Sequence, residues 1–224
     1  MTERSVHERA REAMVERQLR ARGITDGRVL AAMAAVPREA FVSPDLATEA
    51  YADRPLPIGA GQTISQPYMV AVMAEAARIG PGDRVLEVGA GCGYAVAVLS
   101  RLAAEVHAVE RLPDLAKDAR RRLADLGCTG ASVHLRDGTE GLPEAAPFDA
   151  IIVSAGGKRV PPALKRQLAE GGRLVVPVGP PGAQALLRLV RHGDAFDEED
   201  LGPVSFVPLV EGVEGAGREP PGFS

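Results

Sequence analysis

The sequence predicts an α/β protein: a doubly wound, mostly parallel seven-stranded sheet of Rossmann-like type, with a helical N-terminal extension and an antiparallel C-terminal hairpin. Three observations predict it. From Arg84 onward short β-rich runs alternate with helical stretches, the rhythm of a parallel sheet with crossover helices. A glycine-rich turn follows directly on the first of those runs, Val85–Val88. The last two β-rich runs have no helical pattern between them, which leaves a hairpin as the simplest connection.

Taken in order, Ser5 and Glu8 have capping-box spacing, and a charged, Ala-rich helix runs from there to Arg22, where Gly23 stops it. Asp26 caps a second helix carrying Val29, Leu30, Met33 and Val36 at helical intervals before Pro37. Between Pro37 and Pro67 prolines and glycines recur without periodicity, so irregular structure is expected. Pro67 opens a third helix that ends at Gly80-Pro81-Gly82. Strands are then expected at 84–88, 106–109, 132–136, 148–153 and 173–178, with helices at 93–103, 113–126 and 161–170. Runs 185–190 and 204–210, separated by an acidic loop, form the terminal hairpin, and the Gly-, Pro- and Glu-rich tail from Glu211 reads as frayed. The expectation is one domain over 1–224: a helical and loop part through 80 carrying the substrate segment, a cofactor-binding core at 81–178, C-terminal strands at 179–210 and a flexible tail at 211–224.

The bulk composition excludes several classes. With 46% hydrophobic and 25% charged residues the chain is in the globular range, and a net charge of -4 with a pI near 5.7 leaves no basic stripe. Neither nucleic acid nor a membrane surface is therefore an expected partner. Cys92 and Cys128 are too few for a disulfide framework. No run reaches the roughly 20 apolar residues of a membrane span, and the N-terminus lacks the apolar stretch of a signal peptide. A monomer in the reducing cytoplasm is the expectation. His7, His107, His134 and His192 show no metal-ligand spacing, so no metal is expected.

The candidate site centres on Glu87-Val88-Gly89-Ala90-Gly91-Cys92-Gly93, a turn between a buried strand and a helix. Gly89, Gly91 and Gly93 let a ligand approach the backbone closely. Their G-x-G-x-G spacing differs from the G-x-G-x-x-G that aims helix N–H groups at a pyrophosphate, which favours S-adenosylmethionine over NAD. Glu110 ends the next strand, about 20 residues on, where a carboxylate can grip ribose hydroxyls. Asp137-Gly138 ends the third strand, where both can meet an adenine edge, and Glu87 stands at the entrance of the loop.

The segment Pro55-Leu56-Pro57-Ile58-Gly59-Ala60-Gly61-Gln62-Thr63-Ile64-Ser65-Gln66-Pro67-Tyr68 resembles the hallmark segment of the protein-L-isoaspartate O-methyltransferase family. Further matches are Met14–Gln18, Val36–Val42, Tyr51–Asp53, Pro161–Leu164, Glu170–Leu174 and Phe206–Leu209, so the resemblance runs from about residue 10 to 210. It implies the class I adenosylmethionine-dependent methyltransferase fold and methylation of the α-carboxylate of isoaspartyl residues in damaged proteins, a repair reaction. It implies Ser65 as the active-site residue, Ile64 flanking the cofactor, and Thr63 and Gln66 flanking the substrate. Taken alone, Ser65 reads as a cap for the helix at Pro67. A substrate carboxylate is ionised at pH 7 and needs no general base, so alignment and water exclusion are the expected tasks of the site. A neutral hydroxyl at Ser65 would anchor one oxygen and leave the other nucleophilic.

Three departures bear on this reading. Ala90 and Cys92 stand where relatives commonly carry Thr and Ser, and Ser154-Ala155-Gly156-Gly157 replaces the usual Thr-Ala-Ala. The alternatives are a peptide aspartate O-methyltransferase acting on a dedicated peptide, and a silent adenosylmethionine-binding module. A nicotinamide oxidoreductase would need the turn that is missing.

Overall fold

The structure, a computed structural model, describes residues 5–214 of the 224. Helix α1 (Val6–Met14) begins with the expected capping box: Ser5 Oγ accepts the Glu8 N–H and Glu8 reaches back to the Ser5 N–H. The helix continues as a π turn over Val15–Leu19 and a 3₁₀ turn over Arg20–Arg22, and ends where Gly23 adopts a left-handed φ of 97°. Asp26 caps α2 (Gly27–Ala35) through the N–H groups of Arg28 and Val29.

The segment expected to be irregular holds two 3₁₀ turns, Arg38–Phe41 and Pro44–Glu49, and a hairpin of β1 (Leu56–Gly59) with β2 (Gln62–Ile64). The hairpin escapes a periodicity reading because its strands are short and bulged, and because the turn demands positive φ at Gly59, Ala60 and Gly61. Helix α3 (Pro67–Ala76) starts at proline as expected.

The main sheet comprises β3 (Arg84–Val88), β4 (Glu105–Glu110), β5 (Ala131–Leu135), β6 (Phe148–Val153), β7 (Leu168–Val178), β8 (Gln184–His192) and β9 (Ala195–Val204). Their order is β5-β4-β3-β6-β7-β8-β9, parallel from β5 to β7 and antiparallel thereafter. Helices α4 (Tyr94–Leu99), α5 (Pro113–Asp125) and α6 (Pro162–Arg166) link the parallel strands. The central strands are buried on both faces: Val85, Leu86, Val88, Ala150, Ile151 and Val153 are fully enclosed. Each large apolar side chain among them contributes about 1.5–3 kcal/mol relative to exposure. Chain order reverses between β3 and β6, and the crevice at such a switch point, beyond the carboxyl ends of the strands, is where ligands bind in open α/β sheets.

Two expectations about the C-terminal region are corrected. The helix expected at 161–170 ends at Arg166, and strand β7 begins at Leu168. The acidic stretch expected as a loop is the edge strand β9, and the run 204–210 is not its hairpin partner. Gly193 and Asp194 supply a two-residue hairpin turn, with φ of 61° at Gly193. Asp197, Glu198, Glu199 and Asp200 are exposed on β9, where charge protects an open edge from further pairing, and Arg188 pairs with Glu199 across the hairpin.

After β9 the chain crosses back over the carboxyl edge of the sheet as a strap. Gly156 donates its N–H to Val207 O and accepts from the Leu209 N–H, both at 2.8 Å. Gln184, itself buried, accepts the Phe206 N–H at 2.7 Å. Gly212 N–H bonds Asp137 Oδ2 at 2.6 Å, and Glu214 N–H bonds Arg111 O at 3.0 Å. The first part of the tail, through Glu214, is thus tied down rather than frayed. Its remainder lies outside the described residues.

Candidate active site

The turn between β3 and α4 is fixed by its backbone. Gly89 and Ala90 both donate to Val109 O, and Gly91 donates to Glu110 Oε2 at 2.8 Å. Gly91 has φ of 53°, and a Cβ there would sit 3.2 Å from Ile58 Cδ1, so the β1–β2 hairpin packs directly on this loop. Gly93 is the left-handed N-cap of α4, and a Cβ there would sit 3.3 Å from the Ala119 Cβ of α5.

These strand ends enclose a cavity of about 900 Å³, counting its open mouth. Ile64, Glu87, Gly89, Gly91, Glu110 and Gly138 line it, as do Ala90, Cys92, Val109, Leu112 and, from the strap, Val207–Val210. Gly93 and Asp137 do not line it among the described residues. Gly93 serves helix packing. Both oxygens of Asp137 are engaged, Oδ1 by the Thr139 N–H and hydroxyl and Oδ2 by the Gly212 N–H. Partial burial alone would raise its carboxyl; those donors outweigh it and hold the carboxyl below its ordinary value. Asp137 therefore anchors the strap. Gly138 is at the wall itself, where a Cβ would lie 2.5 Å from Val88 Cγ1.

Two carboxylates face the cavity from neighbouring strands and differ in their state. Glu110, 6% exposed, accepts three backbone N–H groups: Gly91 at Oε2, and Arg111 and Leu112 at Oε1. A carboxylate has about four acceptor sites, so the two-point ribose grip expected from spacing has room for one further hydrogen bond, at Oε2. Among the described residues Glu87, 1% exposed, accepts only the Ser154 hydroxyl, at 3.1 Å, and its Oε2 has no partner. Burial pushes the Glu87 carboxyl up to about 8; the Ser154 hydrogen bond opposes this and the nearby Glu110 charge adds to it. A buried, unpartnered carboxylate oxygen that lines a cavity suits a cationic ligand group, which would restore its charge.

A second, outer cleft of about 1510 Å³, counting the open solvent at its mouth, adjoins the first, and Thr63, Ser65, Ser154 and Val207 line both. The Ser65 hydroxyl makes no hydrogen bond among the described residues, and the N-cap of α3 is Gln66, without a side-chain cap. Helix capping is therefore not the role of Ser65. Gln66 lies in the outer wall, where its amide donates to Asp53 Oδ1 at 2.7 Å. Asp53 in turn pairs with Arg22 at 2.9 Å, and Arg22 stacks 3.6 Å over the Tyr68 ring. Gln66 is the expected member of this wall; its partners Asp53 and Arg22, the junction position of Ser154 and the strap are not among the expected site residues. The apolar run that contains Phe206–Leu209 predicts a strand, and the structure makes it the strap.

At Gly156 the departure has a steric reason. A Cβ at Gly156 would lie 2.1 Å from Gln184 Nε2, and the same residue carries both backbone bonds to the strap. Cys92 is enclosed and burial pushes its thiol up, which suits packing rather than nucleophilic chemistry.

A family model described as protein-L-isoaspartate(D-aspartate) O-methyltransferase matches residues 9–214. The chain belongs to this family. Among similar family proteins, the protein-L-isoaspartate O-methyltransferase of Methylorubrum populi is 64% identical over 211 residues, covering 93% of this chain and 98% of the relative. That of Methanoculleus marisnigri is 56% identical over 202 residues, covering 90% and 92%. A solved protein-L-isoaspartate O-methyltransferase superposes with a TM-score of 0.80 at 29% identity, over 88% of this chain and 65% of that one. A Plasmodium falciparum protein described as a member of the same family, solved in complex with S-adenosyl-L-homocysteine, gives 0.76 at 26% identity, over 92% and 99%. The family's class I methyltransferase fold agrees with the observed sheet.

Proposed function

We infer that the protein is a protein-L-isoaspartate(D-aspartate) O-methyltransferase, which uses S-adenosylmethionine to esterify the α-carboxylate of isoaspartyl residues in damaged proteins. One observation carries the reading at the level of the site: Ser65, flanked by Thr63 and Ser154, stands where the inner cavity opens into the outer cleft. A donor held inside and a peptide carboxylate held outside would meet there.

The residues present fit the donor. Glu87 Oε2 suits its ammonium group, Glu110 Oε2 has one acceptor site for a ribose hydroxyl, and Ile64, Val109, Leu112 and Gly138 offer an apolar slot for the base. Gly89 and Gly91 allow close approach to the backbone. When bound, S-adenosylmethionine supplies a methyl group activated by a sulfonium centre. This chain's own work is positioning. The Ser65 hydroxyl, which serves nothing else, would donate to one carboxylate oxygen and leave the other as the nucleophile. Val207–Leu209 of the strap would keep water from the junction. No residue needs to remove a proton, because the acceptor is already ionised.

In this arrangement the part through residue 80 would carry the substrate segment, 81–178 the cofactor core, and 179–210 the closing strands and strap. No helix among the described residues is long and apolar enough to cross a membrane, and both cysteines are unpaired, which suits a reducing cytoplasm. The reading is tested by incubating the protein with labelled S-adenosylmethionine and paired peptides that differ only in Asp or isoAsp linkage. Base-labile ester on the isoAsp peptide is the expected result; equal labelling of both, or labelling of the Asp peptide alone, would refute it.

A further inference from the structure

Away from the cavity, β4 and β5 bring together polar side chains that lie far apart in the sequence. The parallel register sets His107 beside Ser132 and Val109 beside His134. Because alternate residues share a face, His107, Ser132 and His134 project from the same side. His107 Nδ1 lies 3.3 Å from His134 Nε2, and Ser132 Oγ lies 3.1 Å from each of those nitrogens. The remaining nitrogen of His107, Nε2, is 2.9 Å from Glu105 Oε1.

We propose that His107 Nδ1, His134 Nε2 and Ser132 Oγ form a binding site for a divalent transition-metal ion of the zinc type. Two ligands on a tetrahedral ion with bonds of about 2.0–2.1 Å stand about 3.3 Å apart, and the three mutual distances here match that edge. Glu105 Oε1 beside Nε2 favours the tautomer with the proton on Nε2, in which His107 presents a bare lone pair at Nδ1. A carboxylate behind a histidine is the usual outer support of a metal-bound imidazole. Imidazole nitrogen is a preferred donor for zinc, nickel and copper.

The surrounding charge permits a cation. Of the nearby arginines, Arg84 is paired with Glu105, Arg136 with Glu144, and Arg120 donates to Val133 O. No third His, Cys, Asp or Glu joins the group among the described residues, so water would complete the coordination sphere. The ion would bridge β4 to the edge strand β5.

The test is calorimetric titration of ZnCl2 into the whole protein. A single one-to-one event is expected in the wild type, lost in His107→Asn and in His134→Asn, and weakened on the order of tenfold in Glu105→Gln. An isotherm unchanged by both histidine substitutions, or no heat in the wild type, would overturn the proposal. A second measurement needs no substitution: zinc should shift the ring resonances of His107 and His134 and leave those of His7 and His192 in place. Equal shifts in all four, or none, would also overturn it.

Discussion

The inner cavity and the outer cleft meet at Ser65 yet are built differently. The cavity is made of buried strand ends, with Glu110 held by three backbone N–H groups and Glu87 enclosed. The cleft is lined by side chains from β2, the start of α3, the end of β9 and the strap, and its polar wall, Gln66-Asp53-Arg22, is a chain of partly exposed contacts. Electrostatic effects are larger in a water-poor site than on a wet surface. Substitutions in the cavity should therefore change donor affinity strongly, and substitutions in the cleft should change peptide handling mildly.

Glu110→Ala tests the strong side of that contrast. A hydrogen bond to a charged group is worth about 1.5–3 kcal/mol, so donor affinity should fall roughly 10- to 150-fold in a calorimetric titration. A fall of less than about threefold would place the ribose elsewhere.

Glu87→Gln sharpens the comparison through pH. The folded-state pKa of Glu87, about 8, lies above its ordinary 4.5. Its contribution to stability is therefore full below pH 4.5 and is lost as pH rises toward 8. A cationic ligand group at Oε2 favours the ionised carboxylate, so donor binding near pH 7 should release a proton and strengthen with rising pH by up to about tenfold per unit. Calorimetry in buffers of different ionisation enthalpy should detect that proton in the wild type and a smaller or absent release in Glu87→Gln. Equal release in both proteins would remove Glu87 from the donor site.

Ser65→Ala acts at the boundary. Loss of one neutral hydrogen bond, about 0.5–1.5 kcal/mol, should lower kcat roughly 2- to 12-fold. Donor affinity and thermal unfolding should be unchanged, because the hydroxyl makes no hydrogen bond among the described residues. A drop in donor affinity with kcat intact would move Ser65 from the acceptor side to the donor side. Arg22→Ala is the mildest: an exposed ion pair is worth about 0–1 kcal/mol, so KM for an isoaspartyl peptide should rise less than about fivefold, with donor affinity unaffected. A large effect on donor binding would mean that the two spaces are not separable.

Legibility followed the same division. The parallel strands were readable because burial on both faces leaves largely apolar runs, unbroken in Ala150–Val153 and interrupted in Val85–Val88 only by the site acid Glu87. The capping signals at Ser5 and Asp26 act within three residues and were realised. The β1–β2 hairpin was not readable, since its strands are too short to show a period. Strand β9 was hidden because the charge that guards an open edge also looks like a loop, and the short helix α6 merged with the start of β7.

By itself the sequence determined the sheet class, the glycine turn, the two acids at neighbouring strand ends and the family segment around Ser65. All of these are local, set by adjacent residues and by period. The tertiary structure decided which of them share a space. It left Gly93 and Asp137 outside the cavity, where they serve packing and the anchoring of the strap, and it drew Val207–Val210 over the opening. It also brought His107 and His134 together from neighbouring strands. Those choices depend on strand order and register, which arise from contacts between residues tens of positions apart and leave no mark in the local pattern.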